Sequence, residues 1–110
     1  MICEAWSVVA VPFPFSDSPD VKFRPAVVLS THGFNRGGLS IMAMVTSARH
    51  SKMHGDIGIK AGTAGLPKDS VIRMKLFTLD NRLIRSKLGA IPHELGVRLG
   101  DHLRSTLRWE

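Results

Sequence analysis

The apolar residues of this chain fall into short runs of strand length, and this spacing limits the fold more than any other feature. Turn-forming residues separate the runs. The predicted strands are Trp6–Phe15, Ala26–Ser30, Leu39–Thr46, Ile57–Ile59, Val71–Leu79 and Leu83–Ile91. A helical pattern follows Pro92, where leucines recur every four residues from Leu95 to Leu107. Short strands with one closing helix predict a mainly β fold, as a strongly bent sheet or partly open barrel.

Two details sharpen the strand prediction. Pro12 has no N–H to donate, so the first strand must end, or lie on an edge, near this residue. Val71–Leu79 alternates apolar and basic residues, and Asp80-Asn81 after it is a plausible hairpin turn. We therefore expect Leu83–Ile91 to return as the partner of Val71–Leu79. The glycine-rich residues 61–67 are predicted to be irregular, and Phe13, Phe15 and Phe77 to lie in the core.

Length and composition set broader limits. The 110 residues predict one domain over 1–110, and 44% hydrophobic residues suffice for a modest core. No apolar run is long enough to span a bilayer and no secretory signal is present, so we expect a cytoplasmic protein without membrane binding. The single cysteine, Cys3, fits a reducing compartment. The formal charge of +6 suits a polyanion partner, although many inert domains share it.

The residue identities in several segments are more specific than the pattern of apolar and polar positions. The segments are Val-Pro-Phe-Pro-Phe-Ser-Asp (11–17), Arg-Pro-Ala-Val-Val-Leu-Ser (24–30), Ala-Met-Val-Thr-Ser (43–47), the block 64–80 that begins Ala-Gly-Leu-Pro-Lys-Asp-Ser, and Leu-Gly-Ala-Ile (88–91). Together, and in this order, they resemble the PemK/MazF toxins. Each segment alone would be a weak signal, because a motif such as Arg-Pro-Ala is only three residues long.

The resemblance implies a half-open, SH3-like barrel of the CcdB/PemK/MazF type that forms a two-fold dimer. It implies the toxin of a type II toxin–antitoxin system, an mRNA interferase that cuts single-stranded RNA at specific sequences. Neither a metal nor a cofactor is expected. The implied partners are single-stranded RNA, a cognate antitoxin and, for the toxin–antitoxin complex, operator DNA.

Metal-free RNA cleavage uses the ribose 2′-OH as the nucleophile and leaves a 2′,3′-cyclic phosphate and a 5′-OH. The enzyme must move protons and stabilise charge on the phosphate. By the resemblance, Arg24 of the Arg-Pro-Ala motif, Thr46 at the end of the third strand and Arg73 are the catalytic candidates. Alternatively, Arg24 pairs with Asp17 or Asp20 at the surface, and Thr46 bonds its own backbone.

Further residues are candidates for holding the RNA. Ser47 could share the role of Thr46, and Phe23 beside Arg24 could stack on a base. Basic side chains that could follow the phosphates are Arg49, Lys52, Lys75, Arg85 and Lys87, and a solvated basic face is the alternative for each. His50 and His54 follow Thr46, and either could carry a proton, although the polar loop favours simple solvent exposure.

The chain departs from one branch of the family at two positions. That branch has an acidic residue two positions after the strand arginine, where this chain has Lys75, and a histidine in the first loop, where this chain has none. An inactive relative that binds only antitoxin or operator DNA is therefore an alternative. Another is a CcdB-like gyrase inhibitor, since the chain ends Leu-Arg-Trp-Glu. We expect Trp109 merely to pack or fray.

Overall fold

A computed structural model describes residues 1–13, 22–50 and 52–110 of the chain. Its strands are β1 (Ser7–Pro12), β2 (Phe23–Val28), β3 (Leu39–Ser47), β4 (Ile57–Ile59), β5 (Ser70–Asp80) and β6 (Ser86–Ala90). Its helices are the four-residue α1 (His32–Asn35) and the C-terminal α2 (His93–Thr106), and a 3₁₀ turn covers Asn81–Leu83. Within these residues, no helix is both long and apolar enough to cross a membrane.

The described strands form one antiparallel sheet in the order β4-β5-β3-β2-β1-β6, which curls into a half-open barrel. Alternate residues enter two apolar clusters on its opposite faces. The helix-side cluster includes Val8, Val27, Val45 and Ile72, with Leu95 and Leu99 of α2. The far cluster includes Val9, Val11, Ala26, Met42 and Phe77. The predicted mainly β fold with a closing helix is confirmed.

Several local predictions are confirmed. β1 ends at Pro12, because a proline cannot continue the ladder. Phe13 and Phe77 meet edge to face in the far cluster, with their ring centroids 5.7 Å apart. Pro14, Phe15, Asp17 and Asp20 lie outside the described residues. β1 itself is not an edge strand, since β2 and β6 flank it, and the edges of the described sheet are β4 and β6.

The predicted hairpin after β5 is wrong. The Asp80 carboxylate accepts a hydrogen bond from the Arg82 backbone N–H and caps the 3₁₀ turn, so the chain turns away from β5. Asn81 is buried there, where its side chain accepts from Ser40 Oγ at 2.6 Å and donates to the Asn35 carbonyl at 2.6 Å. β6 then pairs with β1 instead. This pairing carries the chain to the opposite edge of the sheet.

A bulge in β5 changes its register against β3. Ala43 pairs with Leu76, but Met44, the next residue, pairs with Arg73. Two extra residues, Met74 and Lys75, therefore stand on β5 at this point. Because the insertion is two residues long, the alternation of faces is kept on both sides of it.

Trp6 fixes the N-terminus to the sheet and to α2. Its backbone N–H donates to the Val28 carbonyl at 2.7 Å, and its carbonyl accepts from the Ile91 N–H at 3.0 Å. Its ring lies against Gly96 of α2, where a Cβ would come within 2.9 Å of the indole nitrogen. Gly96 therefore permits a close helix contact, and this offsets its low helix propensity.

We predict that G96A is less stable than G100A by about 1–3 kcal/mol, because the new methyl group overpacks the site against Trp6. At Gly100 a Cβ would meet only Arg104 Nη1 at 3.7 Å, so G100A should gain about 1 kcal/mol from helix propensity. Urea unfolding followed by circular dichroism measures both variants. Equal stability of the two variants would contradict the proposed packing role of Gly96.

Candidate active site

Two of the predicted catalytic residues lie side by side on the sheet. Ala26 of β2 pairs with Met44 of β3. Arg24 lies two residues before Ala26 and Thr46 two residues after Met44, so both side chains lie on one face of neighbouring antiparallel strands. The register therefore brings an arginine and a hydroxyl together from positions far apart in the sequence.

Arg73 of β5 lies on the same face. The bulge pairs Arg73 with Met44, while Thr46 pairs with Val71, so Arg73 is a diagonal neighbour of Thr46. Diagonal neighbours on one face are about 7–8 Å apart, within reach of a long side chain. All three predicted catalytic residues thus lie on one side of the β2-β3-β5 ladder.

A groove of about 400 Å³ opens at the ends of β2 and β3. Its lining residues are Arg24, Pro25, Val45, Thr46, Ser47, Arg49, His50, Leu66, Pro67, Lys68 and Ser70. We call it the Arg24 groove. It contains four of the residues predicted from sequence. A second groove of about 570 Å³ shares Ser47, Arg49 and Lys68 with it and adds the carboxylate of Asp69.

The Arg24 groove is positively charged. Arg24, Arg49 and Lys68 supply its formal charges, and among the described residues that line it none carries a carboxylate. Arg24 is half-buried, with its guanidinium carbon 5.7 Å from the centroid of the Phe13 ring. The ring limits the freedom of the side chain and leaves a planar cation suited to a phosphate.

Thr46 is buried, and its Oγ1 lies 2.8 Å from Nδ1 of His50. The sequence favoured simple solvent exposure for His50. The residue is exposed, but it also forms a hydrogen bond with the Thr46 hydroxyl. In the sequence, the four-residue spacing between Thr46 and His50 is the feature that could have indicated this contact. Sequence reasoning also missed Lys68 and Ser70, which stood in the 64–80 block that carried the resemblance.

Gly65 positions the segment that carries Lys68. Its φ is +76°, and a Cβ on it would lie only 2.1 Å from the Leu88 carbonyl oxygen. The residue must therefore be glycine for the loop to lie flat against β6. Leu66, next to it, is buried in the helix-side cluster. The irregular conformation predicted for 61–67 is confirmed, and it fixes one wall of the Arg24 groove.

Arg73 is held in an ion pair with Asp56. Nε donates to Oδ1 at 3.1 Å and Nη2 to Oδ2 at 2.9 Å, and the side chains are only 12% and 8% exposed. The Met53 N–H also donates to Oδ2 at 2.9 Å. The Arg73 hydrogen bond lowers the pKa of Asp56, and the same bond raises the pKa of Arg73. Sequence reasoning did not select Asp56, which no motif marked.

The remaining candidates lie outside the Arg24 groove. Arg73 and Lys75 line a neighbouring depression of about 350 Å³ with His54, Met44, Met53 and Met74. Lys52 is exposed in the loop before β4, and Lys87 is exposed on β6. Phe23 is 41% exposed, and the Arg85 guanidinium stacks on its ring at 4.6 Å from the centroid. Phe23 and Arg85 therefore form a separate basic and aromatic surface.

No metal site is formed by the residues that the structure describes. Among them, no three His, Cys, Asp or Glu side chains lie close enough together to hold an ion. Cys3 is buried in the far cluster and has a free thiol. At the other end of the chain, Trp109 donates to the Arg104 carbonyl at 3.2 Å while its side chain stays largely exposed.

The curled antiparallel sheet, its closing helix and the cationic Arg24 groove define a small half-barrel protein suited to binding a polyanion. Residues 4–107 match the family described as the PemK-like, MazF-like toxin of type II toxin–antitoxin systems. The chain belongs to this family.

Individual relatives agree with the family match. The chain is 31% identical over 98 residues to Endoribonuclease MazF6 of Mycobacterium tuberculosis, with 86% of each chain covered. The crystal structure of MazF from Deinococcus radiodurans superposes with a TM-score of 0.76 at 25% identity, covering 96% of both chains. The MazE-MazF structure (Form-II) from the same organism gives a TM-score of 0.77 at 25% identity, covering 100% of this chain and 99% of that one.

We predict that D56N is less stable than wild type by about 1.5–3 kcal/mol at pH 7, because a nearly buried charge-assisted pair is lost. Since the folded pKa of Asp56 is below its ordinary value of 3.8, this stability is complete above about pH 5 and is lost as the pH falls through the folded pKa. Thermal melts at several pH values measure the difference between the two proteins.

The control is D101N, which removes an exposed ion pair with Arg104. Exposed pairs contribute little, so D101N should melt with wild type at every pH. A stability gap for D56N that stayed constant down to pH 2 would show that the Asp56 charge is not its source.

Proposed function

We propose that this chain is the toxin of a type II toxin–antitoxin system and cuts single-stranded RNA through the Arg24 groove without a metal ion. It is an endoribonuclease, as family membership and relatives named as endoribonucleases support. The observation that carries the site assignment is the adjacency of Arg24 and Thr46 across β2 and β3 in one cationic groove.

In this proposal the scissile phosphate lies between Arg24 and Thr46. The ribose 2′ oxygen attacks its own phosphorus and expels the 5′ oxygen. The Arg24 guanidinium stabilises the charge that builds up on the phosphate oxygens, with two N–H groups in a fixed plane. Thr46 Oγ1, buried and fixed by its bond to His50, orients the reacting groups. Ser47 lines the same groove and assists Thr46.

Arg73 contributes to the site from β5, the strand that pairs with β3, and the Asp56 carboxylate orients its guanidinium. In the related branch an acidic residue stands two positions after this arginine. Here Lys75 occupies that position, and Asp56 supplies a carboxylate from the loop before β4 instead. The presence of this carboxylate beside Arg73 supports the proposal that the protein is active. The basic side chains that contact successive RNA phosphates are Arg49, Lys52, Lys75, Arg85 and Lys87. Phe23 stacks on a base, and this contact replaces its contact with Arg85.

The proposed partners are those of a toxin. An antitoxin protein neutralises the chain, in line with the MazE-MazF structure of the Deinococcus radiodurans relative. The complex with antitoxin binds operator DNA, and the toxin acts in the cytoplasm, where its RNA substrates are. We treat residues 1–110 as one toxin domain, which the family match over 4–107 supports.

We also propose a two-fold dimer. The described sheet has two edge strands, β4 and β6, and exposed edges favour pairing or cover. Leu83 and Leu88, which flank and occupy β6, are 45% and 39% exposed. Light scattering at micromolar concentration should give twice the chain mass. A monomer over the whole concentration range would count against the dimer.

The central test incubates a long single-stranded RNA with the protein in EDTA and maps the product ends. Wild type should cut at discrete sites and leave 2′,3′-cyclic phosphate and 5′-OH ends. R24A should lose activity by about 10²–10³-fold, because a charge-stabilising group of the transition state is removed. R108A removes the same charge from an exposed tail residue and should cut like wild type.

Thermal melts of R24A and R24K show whether the fold survives the loss of the Phe13 contact. Equal cutting by R24A and wild type would refute the site assignment. No cutting by wild type, with stoichiometric inhibition of gyrase supercoiling, would refute the endoribonuclease and favour the CcdB-like alternative. No cutting together with antitoxin binding would favour an inactive relative.

A further inference from the structure

His50 is the one imidazole that the described structure brings to the Arg24 groove. It follows β3 in an exposed loop, yet its Nδ1 is 2.8 Å from Oγ1 of the buried Thr46. The other described histidines lie elsewhere. His54 lines the neighbouring depression, His32 and His93 lie on helices at the surface, and His102 bonds the Arg98 carbonyl.

The other polar groups of the groove are poorly suited to take up a proton. Arg24 of β2, Arg49 of the loop after β3 and Lys68 of the segment before β5 are cations that line the groove with His50. Thr46, Ser47 and Ser70 are weakly basic hydroxyls. Among the described lining residues, only the imidazole of His50 offers a ring nitrogen whose lone pair can accept a proton.

The bond to Thr46 gives the ring a defined role. In the tautomer with the proton on Nδ1, the ring donates to Thr46 Oγ1 and keeps a lone pair on Nε2. A hydroxyl that fixes the ring in this way performs the orienting task that a third group performs for catalytic histidines in general. Because the proposed phosphate position lies between Arg24 and Thr46, the bond to Thr46 holds the imidazole close to the phosphate.

We propose that His50 is the general base of the cleavage reaction, an inference that rests on the function proposed above. Nε2 takes the proton of the 2′-OH while the 2′ oxygen forms its bond to phosphorus and the P–O5′ bond breaks. The departing 5′ oxygen takes a proton from water in the open groove. The hydroxide left behind is neutralised by the proton that His50 then releases, so the step balances.

The test compares wild type, H50N, H32N and R24A on one RNA oligonucleotide that wild type cuts, over a range of pH. In H50N the amide nitrogen replaces Nδ1 and still bonds Thr46, but no group remains to take up a proton. H32N makes the same substitution at an exposed residue of α1. Thermal melts of all four proteins verify folding.

We expect H50N to lower kcat by about 10²-fold or more with KM changed less than about threefold, because general base catalysis contributes about 10²–10⁴-fold. A general base must be unprotonated to act, so we expect the wild-type kcat/KM to rise with pH and H50N to lose this rise. H32N should retain the wild-type rate and pH profile.

Three results would overturn the proposal. If H50N keeps the wild-type kcat and pH profile while R24A is inactive, the endoribonuclease stands and His50 is not its base. If H50N changes only KM, His50 binds RNA and does not move the proton. If wild type cuts no RNA at all, the proposed function fails and this inference fails with it.

Discussion

The site depends on how β3 pairs with its two neighbours. The pairing of Ala26 with Met44 sets Arg24 beside Thr46. The two-residue bulge opposite Ala43 and Met44 then sets Arg73 diagonal to Thr46. A slip of one residue on either side would turn these polar side chains toward the opposite face and expose apolar ones. The buried Met42, Ala43 and Val45 of β3 thus fix the register that the polar residues need.

The charged side chains of the site form two groups, the cations of the Arg24 groove and the Arg73–Asp56 ion pair. The Arg24 groove contains cations and His50, with no carboxylate among its described lining residues, so its positive potential is available to a polyanion. Arg73 in the next row is instead paired with Asp56. A paired arginine is held in one orientation, whereas an arginine over an aromatic ring keeps N–H groups that can bind an anion. The two residues are thereby suited to orientation and to phosphate binding, respectively.

The sequence predicted the neighbourhood of the site better than its details. Arg24, Thr46, Ser47 and Arg49 line one groove, as a shared site requires. Their catalytic and binding roles stay predictions. The sequence favours solvent exposure for His50, because a polar loop gives no indication of which side chain bends back to a strand. Asp56 was not selected, because a carboxylate 17 positions from its arginine has no local signature.

By itself the sequence determined the order of the six strands and the closing helix, because apolar periodicity and proline act over a few residues. It also determined the family, through short segments in a fixed order. Only the tertiary structure decided that β6 pairs with β1 rather than with β5. It also decided that Thr46 meets His50. Such choices depend on which burial and hydrogen bonding the whole chain satisfies at once, as buried Asn81 does by redirecting the chain after β5.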